Sequence, residues 1–418
     1  MTKTLVYNIK QLVQTEEQSK SKIVGKNMSK LNKIDDAWLY IEGDKIVNFG
    51  AMANSDFFNR ISENDGVKKI NAKGKLVLPS FCDSHTHLVY AGSREIEYTD
   101  KIKGLSYEEI AKRGGGILNS SDKIREASEH ELYRSAMNRI NEIISFGTGA
   151  VEIKSGYGLD TESELKMLRV IRHIKETSPI IVKATFLGAH AVPREFIGNQ
   201  TEYVNKIINE MIPVVASEEL ADYIDVFCDK GFFTVLDTDR ILNAGVKYGL
   251  RPKIHANELA NSGGIQVGVK YNALSVDHLE YVGDEEIECL LNSNTMPTIL
   301  PGAAFFLNMP LSPVRKMIDA GLPIALASDY NPGSSPSGNM KLVMSLACIN
   351  YKMLPEEVIN ATTKNTAYAM GLEDEVGSIA IGKKANFYIT KSIPGIEYLP
   401  YAYGSNLIES VFLNGEKI

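Results

Sequence analysis

The segment Asp83-Ser84-His85-Thr86-His87 carries two imidazoles two residues apart. On a strand, alternate residues share a face, so His85 and His87 can bind one cation together. His255 and Asp329 each end a later apolar run, and with the first pair they make an N3O donor set suited to Zn2+ or another first-row divalent ion. Glu258, three residues past His255, can reach a water held at such an ion, and His278 ends a further run. A carboxylate and an imidazole so placed can move protons in a hydrolytic attack. Plainer readings stand beside these. Asp329 can cap a helix after Asn331-Pro332-Gly333-Ser334, Glu258 can be a solvated loop carboxylate, and His278 can be a core histidine bonded to Asp277.

These residues need a scaffold that brings distant strand ends together. Eight short apolar runs recur through the middle of the chain: 76–78, 149–153, 180–186, 223–227, 251–255, 273–276, 296–300 and 323–327. Helical patterns separate them, such as the one opening at a capping box from Thr161 to Glu164, with Leu165, Leu168, Ile171 and Ile174 on one face. Continuous apolar runs fit strands covered on both faces. Eight of them with crossovers predict an α/β fold built on a TIM-like (β/α)8 barrel, whose active site lies at the carboxyl ends of the strands. Five of the seven histidines (His85, His87, His190, His255 and His278) fall at those ends; His130 and His173 lie in helical stretches and read as surface residues.

Both chain ends look different. Residues 37–41 and 45–47 flank the turn Glu42-Gly43-Asp44, and residues 378–382, 387–389 and 410–413 precede an Asn414-Gly415 turn. Strands at both ends predict one small β-sandwich. The domains expected are residues 1–77 and 373–418 for the sandwich and 78–372 for the barrel. Residues from about 16 to 35 read as loop.

With 418 residues, 44% apolar, 23% charged and a net charge of −7, the composition is that of a globular protein and lacks the basic stripe a nucleic-acid partner wants. The start lacks the apolar core of a leader and no run suits a membrane span, so no membrane partner and a cytoplasmic location are expected. Cys82, Cys228, Cys289 and Cys348 form no CxxC pair and read as buried small hydrophobes.

The string PSFCDSHTH after a strand, single histidines ending later strands, a late Asp, and GSIAIGKKANFYI together resemble the amidohydrolase superfamily. Longer strings narrow the resemblance: HTHLVYAGSREIEY, the GGGI from Gly114 to Ile117, EIKSGYGL, TFLGAHAVPREF, DVFCDKGFF, HANEL, DHLEY and SDYNPGSSP. They are similar to the branch that opens an imidazolone ring in histidine breakdown. The resemblance implies metal ligation by His85, His87, His255 and Asp329, with one ion per chain, zinc or iron. It implies substrate contacts from Arg94, Tyr157, His190, Glu258, Asn331, Gly333 and Ser334, and proton transfer by Glu258, His278 and Asp329. The substrate implied is 4-imidazolone-5-propanoate, opened by a metal-activated water to N-formimidoyl-L-glutamate. A homodimer is expected, as is common for such barrels.

Arg94 can clamp the propanoate carboxylate in two-pronged fashion, or else pair with Glu95 or Glu97. Tyr157 can lean into the site or only pack. Two departures from the family pattern occur: Asn386 stands where Asp is usual, and Ser328 where Thr is frequent before the metal-binding Asp. Lys230 falls after the end of the fourth strand, which argues against a lysine-bridged pair of ions. The runner-up activity is a purine or pyrimidine deaminase, whose neutral base has no use for Arg94 with the Gly333-Ser334 loop. A barrel that became a non-catalytic scaffold would be expected to have lost ligands.

Overall fold

The computed structural model describes residues 2–17, 21–53, 55–105 and 115–418. Part of the GGGI string, Gly114, lies outside the described residues. Eight parallel strands follow one another round a barrel: Phe81–Asp83, Thr148–Lys154, Ile181–Ala189, Tyr223–Cys228, Ile254–Ala256, Ser275–His278, Met296–Ile299 and Ala325–Leu326. The short strand Arg251–Pro252 adds to the fourth. First and last strands are joined just beyond their ends, where Asp329 N donates to His85 O and His87 N donates to Tyr330 O, both at 3.0 Å. Barrel closure therefore runs through the histidine pair and the aspartate themselves.

Between the strands, helices turn apolar faces onto the barrel. Thr161–Thr177 buries Leu165, Leu168, Ile171 and Ile174, the positions that the 3.6-residue period selects. Its cap differs from expectation. Asp160, not Thr161, accepts the Ser163 amide, and Glu164 turns back to accept the amides of Gly156, Gly158 and Leu159. A carboxylate next to three loop N–H groups satisfies more orphan donors than a capping box would. Ahead of the second strand, Glu129–Ser145 opens on a true capping box between Ser128 and Glu131.

The two ends of the chain meet in one mixed sheet of eight strands. Lys3–Val13 pairs antiparallel with Lys33–Glu42, which turns back into Lys45–Ala51 at the expected hairpin. Phe387–Ser392 and Ile408–Leu413 supply the C-terminal half, and the Asn414-Gly415 turn leads into Glu416–Lys417. Val6, Ile9, Leu39, Val77, Phe387 and Phe412 are among its buried core. The apolar run 76–78 belongs here, not to the barrel: Lys75–Pro79 pairs with Phe387–Ser392, and the first barrel strand is Phe81–Asp83. Local hydrophobicity marks a buried strand but does not name its partner. The stretch read as loop contains a 3-10 turn at Gly25–Ser29 and the start of the strand at Lys33. Asn386 has a structural use, its Oδ1 accepting the Asn414 amide at 2.7 Å. Among the described residues no helix is long and apolar enough to cross a membrane.

Candidate active site

His85 and His87 leave the first strand together, and both are buried. His85 Nδ1 donates to Asp277 Oδ2 at 2.7 Å, which makes Nε2 the lone-pair nitrogen; Nε2 has no hydrogen-bond partner. His255, at the end of the fifth strand, puts Nδ1 3.0 Å from Asp225 Oδ2, a contact not aligned as a hydrogen bond. Its Nε2 is likewise buried without a partner. Asp329 Oδ1 lies 3.6 Å from His85 Nε2 and 3.7 Å from His87 Nε2. Among the described residues, three sets bring their donor atoms within 4.8 Å of one another: His85 with His87 and Asp329, His85 with His255 and His278, and His87 with His190 and His255. Orphaned imidazole nitrogens beside a carboxylate, with the His85 and His255 rings each backed by a second carboxylate, fit a divalent cation in both donor type and support.

Burial comes first in setting the charges. It pushes the His85 and His87 rings well below their ordinary pKa, helped in each case by crowding among the neighbouring imidazoles and by Lys154, so both stay neutral and able to donate a lone pair. Burial raises Glu258 to about 7, against the pull of His278. Burial alone would discharge His278, but Glu258 and Glu280 outweigh it and hold its proton up to about 10. Glu258 Oε2 lies 3.6 Å from His278 Nε2. His190 is pressed down to about 3 by burial and by nearby His255. As a neutral ring it donates Nδ1–H to Gly156 O at 3.0 Å, which leaves Nε2 as an acceptor. The Gly156 backbone has φ +106°, and a Cβ there would meet His190 Nδ1 at 2.9 Å, so the position requires glycine.

The strand ends are conformationally costly. Asn257, His278, Leu279 and Asp329 all have positive φ, at 57°, 83°, 69° and 53°. Non-glycine residues in that region cluster where function over-determines the backbone. Asp329 does not cap a helix. The next helix starts at Met340 and is capped by Asn339, while Asn331 Oδ1 accepts the Gly333 and Ser334 amides in a tight turn. Ser334 Oγ donates to Asp329 Oδ2 at 3.1 Å. His278 does not bond Asp277, whose oxygens are taken by His85 and Ser275. Ser328 donates to Asp83 by both its hydroxyl and its amide, so the hydroxyl kept in place of the family's Thr has a partner.

A cavity of about 690 Å3 opens over these groups, lined by His87, Arg94, Tyr157, His190, Glu258, His278, Asp329, Asn331, Gly333 and Ser334 among others. Arg94 is aimed into it rather than at Glu95 or Glu97: Nε and Nη2 donate to Ser120 Oγ at 3.0 and 2.8 Å, and its guanidinium stands 5.8 Å from the Tyr157 ring. A Cβ on Gly333 would collide with Nη1, so glycine at that position lets the guanidinium lie against the loop. Tyr157 is buried with its ring 5.5 Å from His87 and 5.4 Å from His190. Every residue of the sequence-derived set thus reaches one cavity or the donor cluster at its base. His130 and His173 are exposed on helices, as expected.

Several residues outside that set also bear on the site. Lys101, exposed at the cavity rim, lines the same cavity as Arg94 and donates to Gly333 O at 3.4 Å. Beneath the histidines, Glu152, Lys154, Asp225, Lys253 and Asp277 form a fully buried ionic layer. Their signal was present as charges inside apolar runs, with Glu152 and Lys154 on one strand face.

The chain belongs to the amidohydrolase family, whose model matches residues 76–418. That family is metal-dependent, and the histidine–aspartate cluster can hold an ion. Among its relatives, the imidazolonepropionase of Christiangramia forsetii is 55% identical over 99% of both chains. That of Flavobacterium johnsoniae is 54% identical over 99% of this chain and 100% of its own. That of Caldanaerobacter subterraneus subsp. tengcongensis is 42% identical over 97% and 95%. In fold the chain is similar to the guanine deaminase of E. coli, with a TM-score of 0.75 at 14% identity, covering 100% of this chain and 99% of that one. A triazine hydrolase variant superposes with the same TM-score and identity over 99% and 94%.

Proposed function

We propose that the chain catalyses the imidazolonepropionase reaction, the hydrolysis of 4-imidazolone-5-propanoate to N-formimidoyl-L-glutamate. The observation that carries this reading is Arg94, half-sunk in the cavity wall against Ser120 and Gly333, on the same cavity as the Glu258–His278 pair. A guanidinium there suits a substrate with a carboxylate tail. The relatives that carry the name cover the chain almost end to end.

His85, His87, His255 and Asp329 would hold one ion per chain, zinc or iron. When bound, that ion supplies Lewis acidity, which brings a water's pKa towards ~7 and polarises a carbonyl. Lys154, buried beneath the histidines, is engaged with carboxylates and not free to bridge two ions. Glu258 takes a proton from the attacking water, and His278, holding its own proton, donates a hydrogen bond to the oxygen that gains charge at the ring carbonyl. Water's oxygen bonds to that carbon and the ring C–N bond breaks. The proton returns from Glu258, or through Asp329, to the departing ring nitrogen. His190 Nε2 accepts from a ring N–H, Tyr157 donates its hydroxyl, and the Asn331–Ser334 turn closes over the tail beside Arg94.

The test is loss of the ultraviolet absorbance of freshly made 4-imidazolone-5-propanoate on the metal-loaded protein. Absence of turnover with full metal would overturn the substrate, and purine or pyrimidine bases would be tried next. The same reading carries a homodimer acting on a free small anion in the cytoplasm. Light scattering reads the first, and a monomeric mass would remove it.

A further inference from the structure

The ionic layer under the histidines contains one cation placed between the carboxylates that support two of the proposed ligands. Lys154 Nζ, fully buried at the end of the second strand, lies 2.8 Å from Asp225 Oδ2, 3.7 Å from Asp277 Oδ2 and 2.7 Å from Glu152 Oε1. Asp277 Oδ2 is the atom that accepts from His85 Nδ1, and Asp225 Oδ2 is the atom beside His255 Nδ1. These supports come from different strands, the fourth and the sixth, and the histidines from the first and fifth. Lys154 thus connects four strand ends through one ammonium. Lys253, equally buried in the same layer, instead pairs with Glu152 and donates to Ser84 O at 2.9 Å.

We propose that Lys154 is a positioning residue for the metal: its ammonium clamps Asp225 and Asp277 together, and they in turn aim His255 and His85. An ammonium offers three donors and no acceptor, so the oxygens facing it stay oriented as acceptors. Carboxylates behind ligating histidines set ring orientation, and their loss typically weakens metal binding 10- to 100-fold. Without Lys154, Glu152 keeps Lys253 as a partner, while Asp225 and Asp277 lose the buried ammonium between them. Mutual repulsion then turns the two supports away from their histidines. The inference rests on the metal site proposed above and goes beyond it in assigning a role to a residue two contacts away from the ion.

The experiment measures the zinc dissociation constant by chelator competition for the full chain, Lys154→Met and Lys253→Met, together with the visible spectrum of each after cobalt substitution. The expected result is binding about tenfold or more weaker in Lys154→Met, with altered cobalt bands, while Lys253→Met stays within about threefold. A purely structural lysine would move both variants alike, and that result overturns the proposal. So does a Lys154→Met protein with wild-type affinity and spectrum. If Lys154→Met does not fold, Lys154→Gln, which keeps a donor but loses the charge, takes its place under the same criteria. Failure of the unaltered chain to bind zinc or cobalt would instead sink the metal reading itself.

Discussion

Glu258 Oε2 and His278 Nε2 face each other at 3.6 Å, with the carboxyl group raised to about 7 and the imidazolium held up to about 10. Neighbouring groups whose environments separate their proton affinities in this way divide acid and base work between them. Glu258 can lose and regain a proton near neutral pH while His278 keeps its own as a hydrogen-bond donor.

Glu258→Gln keeps shape and removes the base. Turnover should fall by about 10²- to 10⁴-fold, the usual contribution of a positioned base. Metal content, read by atomic absorption, should not change. Loss of the ion in this variant would show that Glu258 is a ligand instead.

The pH profile follows from the same pair. The base form of Glu258 grows as pH rises, so kcat/KM should climb through about pH 7 and level off above it. At the alkaline side the rate should fall near pH 10, where His278 loses its proton. The acid limb should vanish in Glu258→Gln. An acid limb that persists there belongs to another group.

Replacing Arg94 with Met removes charge-assisted hydrogen bonds that are worth about 1.5–3 kcal/mol each. KM should rise about tenfold or more, with kcat changing less. Steady-state kinetics decides it, and an unchanged KM would take Arg94 out of the carboxylate site.

Glu164 acts from behind the cavity. It accepts three amides of the loop that carries Tyr157. Glu164→Ala should lose about 1–3 kcal/mol for each amide left buried and unpaired, lowering Tm, and should raise KM as Tyr157 drifts. Glu164→Gln keeps an acceptor and should lie between. A normal KM in Glu164→Ala would separate the loop from substrate binding.

Metal removal should stop turnover and lower Tm, because a ligand bound only by the folded state stabilises it by mass action. Titrating zinc or iron back should restore activity at about one ion per chain. Full activity reached only at two ions would replace the mononuclear site with a binuclear one.

Much of this site was legible from residue order alone, because barrel topology sends the C-terminal end of every strand to one rim. A histidine or aspartate that ends an apolar run is thereby assigned to the same face as all the others, however far away in the chain. His85, His87, His190, His255, His278 and Asp329 could be grouped on that basis, and the 3.6-residue period selected the buried face of Thr161–Thr177.

What the tertiary structure decided was partnership. Residues 76–78 read as a barrel strand but pair with Phe387–Ser392, because hydrophobicity reports burial and not the neighbour across the ladder. Glu164 left its expected capping box for three loop amides, which become available only when the loop folds back over the helix. The raised carboxyl of Glu258 and the retained proton of His278 come from burial and from distances of a few ångströms between strands remote in sequence. Lys154 is the clearest case. Its residue type is visible in the chain, but its contacts with Asp225 and Asp277 exist only once the second, fourth and sixth strands enclose one dry interior. Residue types and periodicity are local properties, whereas charge state and orientation depend on what surrounds each group in three dimensions.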